Sequence, residues 1–108
     1  MDPTSGNSLG NVALSVETFR IGDAKAAALK PLEEAAEVYG AWQAYDRAVR
    51  RGEMDLDGYR TDLMDEIADC IQACCNMAAR VRENDGSCDV GLAMKRCHDR
   101  NAARGRIR

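Results

Sequence analysis

The sequence predicts an all-α fold, an antiparallel helical bundle. Two long stretches carry apolar residues at three- and four-residue intervals, the connections between stretches are short and Gly- or Asn-rich, and nothing reads as a sheet. A chain of 108 residues ordinarily forms one domain, small enough for oligomerisation to add a substantial share of its stability. The expected organisation is a flexible leader over residues 1–11 and a single all-α domain over 12–108 that ends in a basic helix and tail.

Pro3, Gly6 and Gly10 among Ser, Thr and Asn mark the leader. Val12 to Ile21 stays open between a short helix and an extended segment, because β-branched residues mix with single charges. Asp23 is a candidate N-cap for an alanine-rich helix that runs to about Arg51, with Pro31 able to divide Ala24–Lys30 from the rest. Leu32, Ala35, Ala36, Tyr39, Trp42, Tyr45 and Val49 form its broad apolar face.

Arg51-Gly52 ends that helix, and Asp57 is the expected cap of the next, Tyr59 to Glu83. Its stripe is Leu63, Ile67, Ile71, Cys74, Ala78 and Val81, edged by Asp62, Glu66, Asp69 and Ala73. Asn84-Asp85-Gly86-Ser87 is a turn by composition, and a last helix is expected from Asp89 to about Arg104.

Charge narrows the function. Fifteen basic and 18 acidic residues leave a formal net charge of -3, which gives no general attraction for a nucleic-acid polymer. The acids concentrate between Glu33 and Asp69, whereas Arg96 to Arg108 holds five arginines and His98 against one acid. A basic end of this kind either solubilises the chain or meets phosphate groups near the acidic middle. No run of 18 apolar residues exists and the N-terminus is polar, so neither a membrane span nor a secretory signal is expected. Cys70, Cys74 and Cys75 share one helix, and five cysteines cannot all pair within the chain. Reduced thiols in the cytoplasm are the expectation.

Glu34 with Glu37, and Glu66 with Asp69, are pairs at i,i+3 spacing, so each pair shares a helix face. Acids at this spacing are also ordinary solvated helix residues. If the four were drawn together they would repel and lose hydration unless a cation compensated. Magnesium, a hard ion that prefers carboxylate and water oxygens and stays bound to substrate phosphate, suits such a set. Zinc does not, because there are no paired CxxC motifs and His98 stands alone. His98 and its neighbour Cys97 diverge by about 100° on a helix and so make no nucleophile–base pair.

At Leu29-Lys30-Pro31-Leu32-Glu33-Glu34-Ala35-Ala36-Glu37-Val38, followed by Asp65-Glu66-Ile67-Ala68-Asp69-Cys70, the chain resembles the MazG-like nucleotide pyrophosphohydrolases. The ExxE helix and the later ExxD helix of that family stand here as Glu34xxGlu37 and Glu66xxAsp69, and the likeness runs from about Lys25 to Arg104. The resemblance implies an all-α, Mg²⁺-dependent enzyme that splits a nucleoside or deoxynucleoside triphosphate into monophosphate and pyrophosphate. It implies Glu34, Glu37, Glu66 and Asp69 as catalytic metal ligands, and Lys30, Lys95, Arg96, Arg100, Asn101 and Arg104 as phosphate-binding residues. It further implies a homodimer or homotetramer that completes bundle and site by association.

Glu33 or Asp62 is the candidate outer carboxylate that takes a proton from the attacking water. Tyr39, Trp42, Tyr45 and Tyr59 are candidates for stacking on a base, although aromatic residues at helical spacing are more often core or interface groups. Gln72 and Asn76, polar within a largely apolar helix, are candidates for reading a base edge or for ordinary internal hydrogen bonds. Two other functions stay open: a non-catalytic helical interaction module using the Trp42/Tyr45 face, and a related hydrolase for a phosphoribosyl nucleotide or nucleoside diphosphate.

Overall fold

The computed structural model describes residues 8–107 and contains three α-helices, with no strand among the described residues. Helix α1 spans Ala24–Arg50, α2 spans Asp57–Asn84 and α3 spans Val90–Ala103. Asp23 caps α1 as its sequence position suggests, its Oδ1 accepting from Ala26 N–H at 2.7 Å. Pro31 does not divide the helix. α1 is continuous through it, because the turns on either side hold helical geometry and the missing N–H removes only one backbone bond.

At the C-terminus of α1, Gly52 takes φ 73°, and the N–H groups of Gly52 and Glu53 return to the carbonyls of Val49 (3.0 Å) and Ala48 (3.1 Å). This glycine-terminated pair of hydrogen bonds closes the helix and turns the chain back. α2 begins slightly earlier than expected, and Asp57 is not its cap. Leu56 occupies that position without a side-chain bond, while Asp55 Oδ1 accepts from the Asp57 N–H at 3.0 Å. Asp85 organises the next turn by accepting from Ser87 N–H (3.0 Å) and Ser87 Oγ (2.6 Å), which hold its carboxyl below the usual carboxylate range. Asp89 then caps α3 through Gly91 N–H at 2.8 Å.

α1 and α2 form the packed hairpin, and α3 makes at most a glancing contact with either. The seam is built from a heptad row on α1, Ala27, Glu34, Ala41 and Ala48, of which Ala27, Glu34 and Ala48 are buried. Ala73 and Asn76 are the buried residues of α2. Small side chains bring the two backbones close, and Glu34 and Asn76 are the buried polar groups within that seam.

The face of α1 that the apolar periodicity selected is therefore not the one that packs. Leu32, Tyr39, Trp42 and Val49 are exposed, with Tyr39 60% and Trp42 44% accessible. A stripe of large apolar residues competes with the alanine row one side over, and alanine wins within this hairpin because it permits the closer approach. Among the described residues no large side chain is fully buried.

Residues 8–21 have no regular secondary structure, which settles the ambiguity over Val12–Ile21 in favour of an extended segment. This segment is tied along a ridge of α2. Gln72 Nε2 donates to Glu17 O (2.9 Å), Phe19 N–H donates to Asn76 Oδ1 (2.9 Å), and Arg20 pairs with Glu83 (2.8 Å). Gln72, Asn76 and Glu83 recur at helical spacing, so one face of α2 provides the whole track.

Candidate metal and phosphate site

Glu34 and Glu37 project from one turn of α1, and Glu66 comes from the facing part of α2. One carboxylate oxygen from each lies within 4.8 Å of the other two. Glu34 is buried, Glu66 half-buried and Glu37 exposed, so the group opens from the helix seam toward solvent. Oε2 of Glu34 and Oε2 of Glu66 are both buried without a hydrogen-bond partner.

Buried acceptors left unpaired cost free energy, and carboxylates brought this close repel one another. Both penalties are relieved by a divalent cation, and an all-oxygen donor set matches a hard one. Glu34, Glu37 and Glu66 could therefore hold a hard divalent cation.

Asp69 stands outside this three-way approach. It is exposed and lines, with Glu34, a cavity of about 410 Å³ whose other walls are Phe19, Ile21, Lys30, Gln72, Ala73 and Asn76. Lys30 Nζ lies 3.3 Å from Glu34 Oε1 and 3.7 Å from Glu33 Oε2. Its pKa is raised, chiefly by Glu34 and further by Glu33 and Glu37, so an ammonium is fixed at the edge of the acidic group.

The remaining candidates on α3 are not brought to the cavity. Lys95 pairs with Asp99 at 3.2 Å, and Asn101 accepts from Arg106 at 3.1 Å and donates to Cys97 Sγ at 3.6 Å. Arg96, Arg100 and Arg104 are exposed on α3 or at its end. None of the five lines the cavity that contains Glu34.

Among the aromatics, Tyr39 and Trp42 stack on each other with centroids 6.0 Å apart and planes 16° from parallel, on the outer face of α1. The cavity wall instead holds Phe19, the single phenylalanine of the chain. Sequence reasoning missed it, because its place depends on how an irregular segment docks. The signal that could have found it is the pair Gln72/Asn76, polar residues one turn apart that need a backbone partner.

All five cysteines are free. Burial pushes the Cys70 thiol up, with Cys74 and the negative Glu34 adding to the effect, so Cys70 stays a protonated thiol beside the acids.

Comparisons with protein-family models, with curated proteins and with solved structures found no match to this chain. Among the described residues no helix is long and apolar enough to cross a membrane.

Proposed function

We propose that this protein is a Mg²⁺-dependent hydrolase that cleaves a nucleoside or deoxynucleoside triphosphate between its α and β phosphates, giving monophosphate and pyrophosphate. The observation that carries the reading is the convergence of Glu34, Glu37 and Glu66 from two helices with two buried oxygens unpaired. The resemblance of the two acidic motifs to MazG-like enzymes supplies the reaction.

In this reading Glu34, Glu37 and Glu66 hold the metal, and Asp69 completes the set from the cavity side. Bound Mg²⁺ would supply Lewis-acid charge to the phosphoryl oxygens and lower the pKa of the attacking water. The chain provides the rest. Lys30 Nζ, already positioned 3.3 Å from Glu34, moves from the carboxylate to a phosphate oxygen when substrate enters. Glu33 or Asp62, both exposed, takes the proton of the water.

Lys95, Arg96, Arg100, Asn101 and Arg104 are assigned to the triphosphate tail in an assembly. Because α3 lies apart from its own hairpin, these residues act on a neighbouring copy's site within a homodimer or homotetramer.

Pyrophosphate release from a panel of ribo- and deoxynucleoside triphosphates in Mg²⁺ tests the proposal. Glu66→Gln should reduce it by at least about a hundredfold while helicity is unchanged. Absence of turnover across the panel, or stepwise release of orthophosphate, overturns it. The exposed Tyr39–Trp42 stack favours a second reading, a non-catalytic helical module that binds protein partners. Wild-type turnover excludes that as the sole function.

A further inference from the structure

Asn76 carries an unused donor at the end of the cavity that begins at the carboxylates. The residue is only 4% exposed. Its Oδ1 accepts two hydrogen bonds, from Phe19 N–H at 2.9 Å and Gln72 Nε2 at 3.0 Å, which fixes the orientation of its amide. The Nδ2 group is buried with no acceptor. A buried N–H of this kind costs free energy in the empty protein, and it is the arrangement expected where a ligand acceptor completes the network.

Position along α2 defines what that ligand is. Asp69, Ala73 and Asn76 follow one another on a single face at i, i+4 and i+7, and all three line the cavity with Glu34. Seven residues of helix separate Asp69 from Asn76 by about 10 Å, the order of the distance from an α-phosphate to the far edge of its base. Ala73, buried and small, leaves room for a sugar between them. Phe19 supplies an aromatic ring, 59% exposed and so available to be covered. Both donated bonds of Gln72 Nε2 are taken, by Glu17 O and Asn76 Oδ1, which leaves its Oε1 as the acceptor of the same side chain.

We propose that the cavity between the N-terminal segment and α2 is the nucleobase subsite, in which Asn76 Nδ2 donates to an acceptor on the base edge, Gln72 Oε1 accepts from the neighbouring base donor, and the Phe19 ring packs on the base plane. The inference rests on the nucleotide reading given above and adds to it the residues that recognise the base. It also gives residues 17–21 a role, since the segment is both a wall of the subsite and the partner that orients Asn76.

Steady-state kinetics of pyrophosphate release separate this inference from the reading on which it rests. The probes are the nucleoside triphosphate of the panel that turns over best and 2-deoxyribose 5-triphosphate, which has the same scissile bond and no base. Asn76→Asp keeps an oxygen for Phe19 N–H and for Gln72 but removes the Nδ2 donor. Its KM for the nucleotide should rise about tenfold more than its KM for the base-free triphosphate, so that the added negative charge, common to both probes, cancels. Phe19→Ala, at an exposed position outside the hairpin seam, should give the same selective loss and guards against a folding defect in the first variant.

Wild-type cleavage of neither probe sinks the enzyme reading itself. Wild-type cleavage with equal changes on both probes, in both variants, overturns the base subsite alone.

Discussion

Glu34 shows at the scale of one residue what the fold tolerates for a site. It is 8% exposed in a seam whose other buried residues are Ala27, Ala48, Ala73 and Asn76, one oxygen is shared with Lys30 and the other has no partner. Neutralising it should relieve the strain in the metal-free protein. Glu34→Gln is expected to raise the stability of the apo protein by about 1 kcal/mol and to abolish the rise in melting temperature that Mg²⁺ or Mn²⁺ gives the wild type. Thermal melts with and without metal check both halves. A wild-type melt indifferent to either ion, together with a destabilised variant, would make Glu34 a structural residue only.

The acidic spacing was legible in sequence, because i,i+3 pairs must share a helix face. Which oxygens are orphaned was not, since that depends on the facing helix. Asp69 shows the same limit from the other side. Its spacing to Glu66 is the same as that of Glu37 to Glu34, yet it stands outside the close group and lines the cavity.

At the scale of elements, α1 is notable for carrying Pro31 in its third turn without a break. The proline forfeits the backbone bond to the Ala27 carbonyl and constrains the residue before it, Lys30, whose side chain meets Glu33 and Glu34. Pro31→Ala should stabilise the protein by about 1–3 kcal/mol through the restored bond and the better helix propensity, as read by urea unfolding. A loss of stability would mean that the proline's packing outweighs its backbone cost.

Capping was readable at both ends of α1. Asp23 and Gly52 act where composition placed them, because capping is decided within a few residues of chain. Leu56, with no capping side chain, replaced Asp57 because the preceding Asp55 already satisfies the Asp57 N–H. The extended segment before α1 was the least readable element. Its conformation is set by Gln72 and Asn76, more than fifty residues away.

The molecule as a whole is open for a chain of its size. It exposes 8323 Å², whereas a compact monomer of its 11.8 kDa mass would expose about 5,900 Å². Its radius of gyration is 17.1 Å, against about 13 Å for a compact chain of this length. An excess of this size is comparable with the area that one subunit of a permanent dimer covers, and Leu32, Tyr39, Trp42 and Val49 form a continuous part of it on α1. Sedimentation should therefore find a homodimer or homotetramer at micromolar concentration, and Trp42→Glu should shift it toward monomer with a lower melting temperature. A wild type that sediments as a stable monomer at all concentrations would remove the assembly, and with it the role assigned to the cations of α3.

By itself the sequence determined the three helices, both ends of α1 and the two acidic motifs, because each depends on residues within one or two turns of one another. Only the tertiary structure decided which face of α1 packs, which three carboxylates meet, and that Phe19 and Asn76 share a cavity with Glu34. Those depend on how closely two helices approach and on where an irregular segment finds its hydrogen bonds, and neither is fixed by local periodicity.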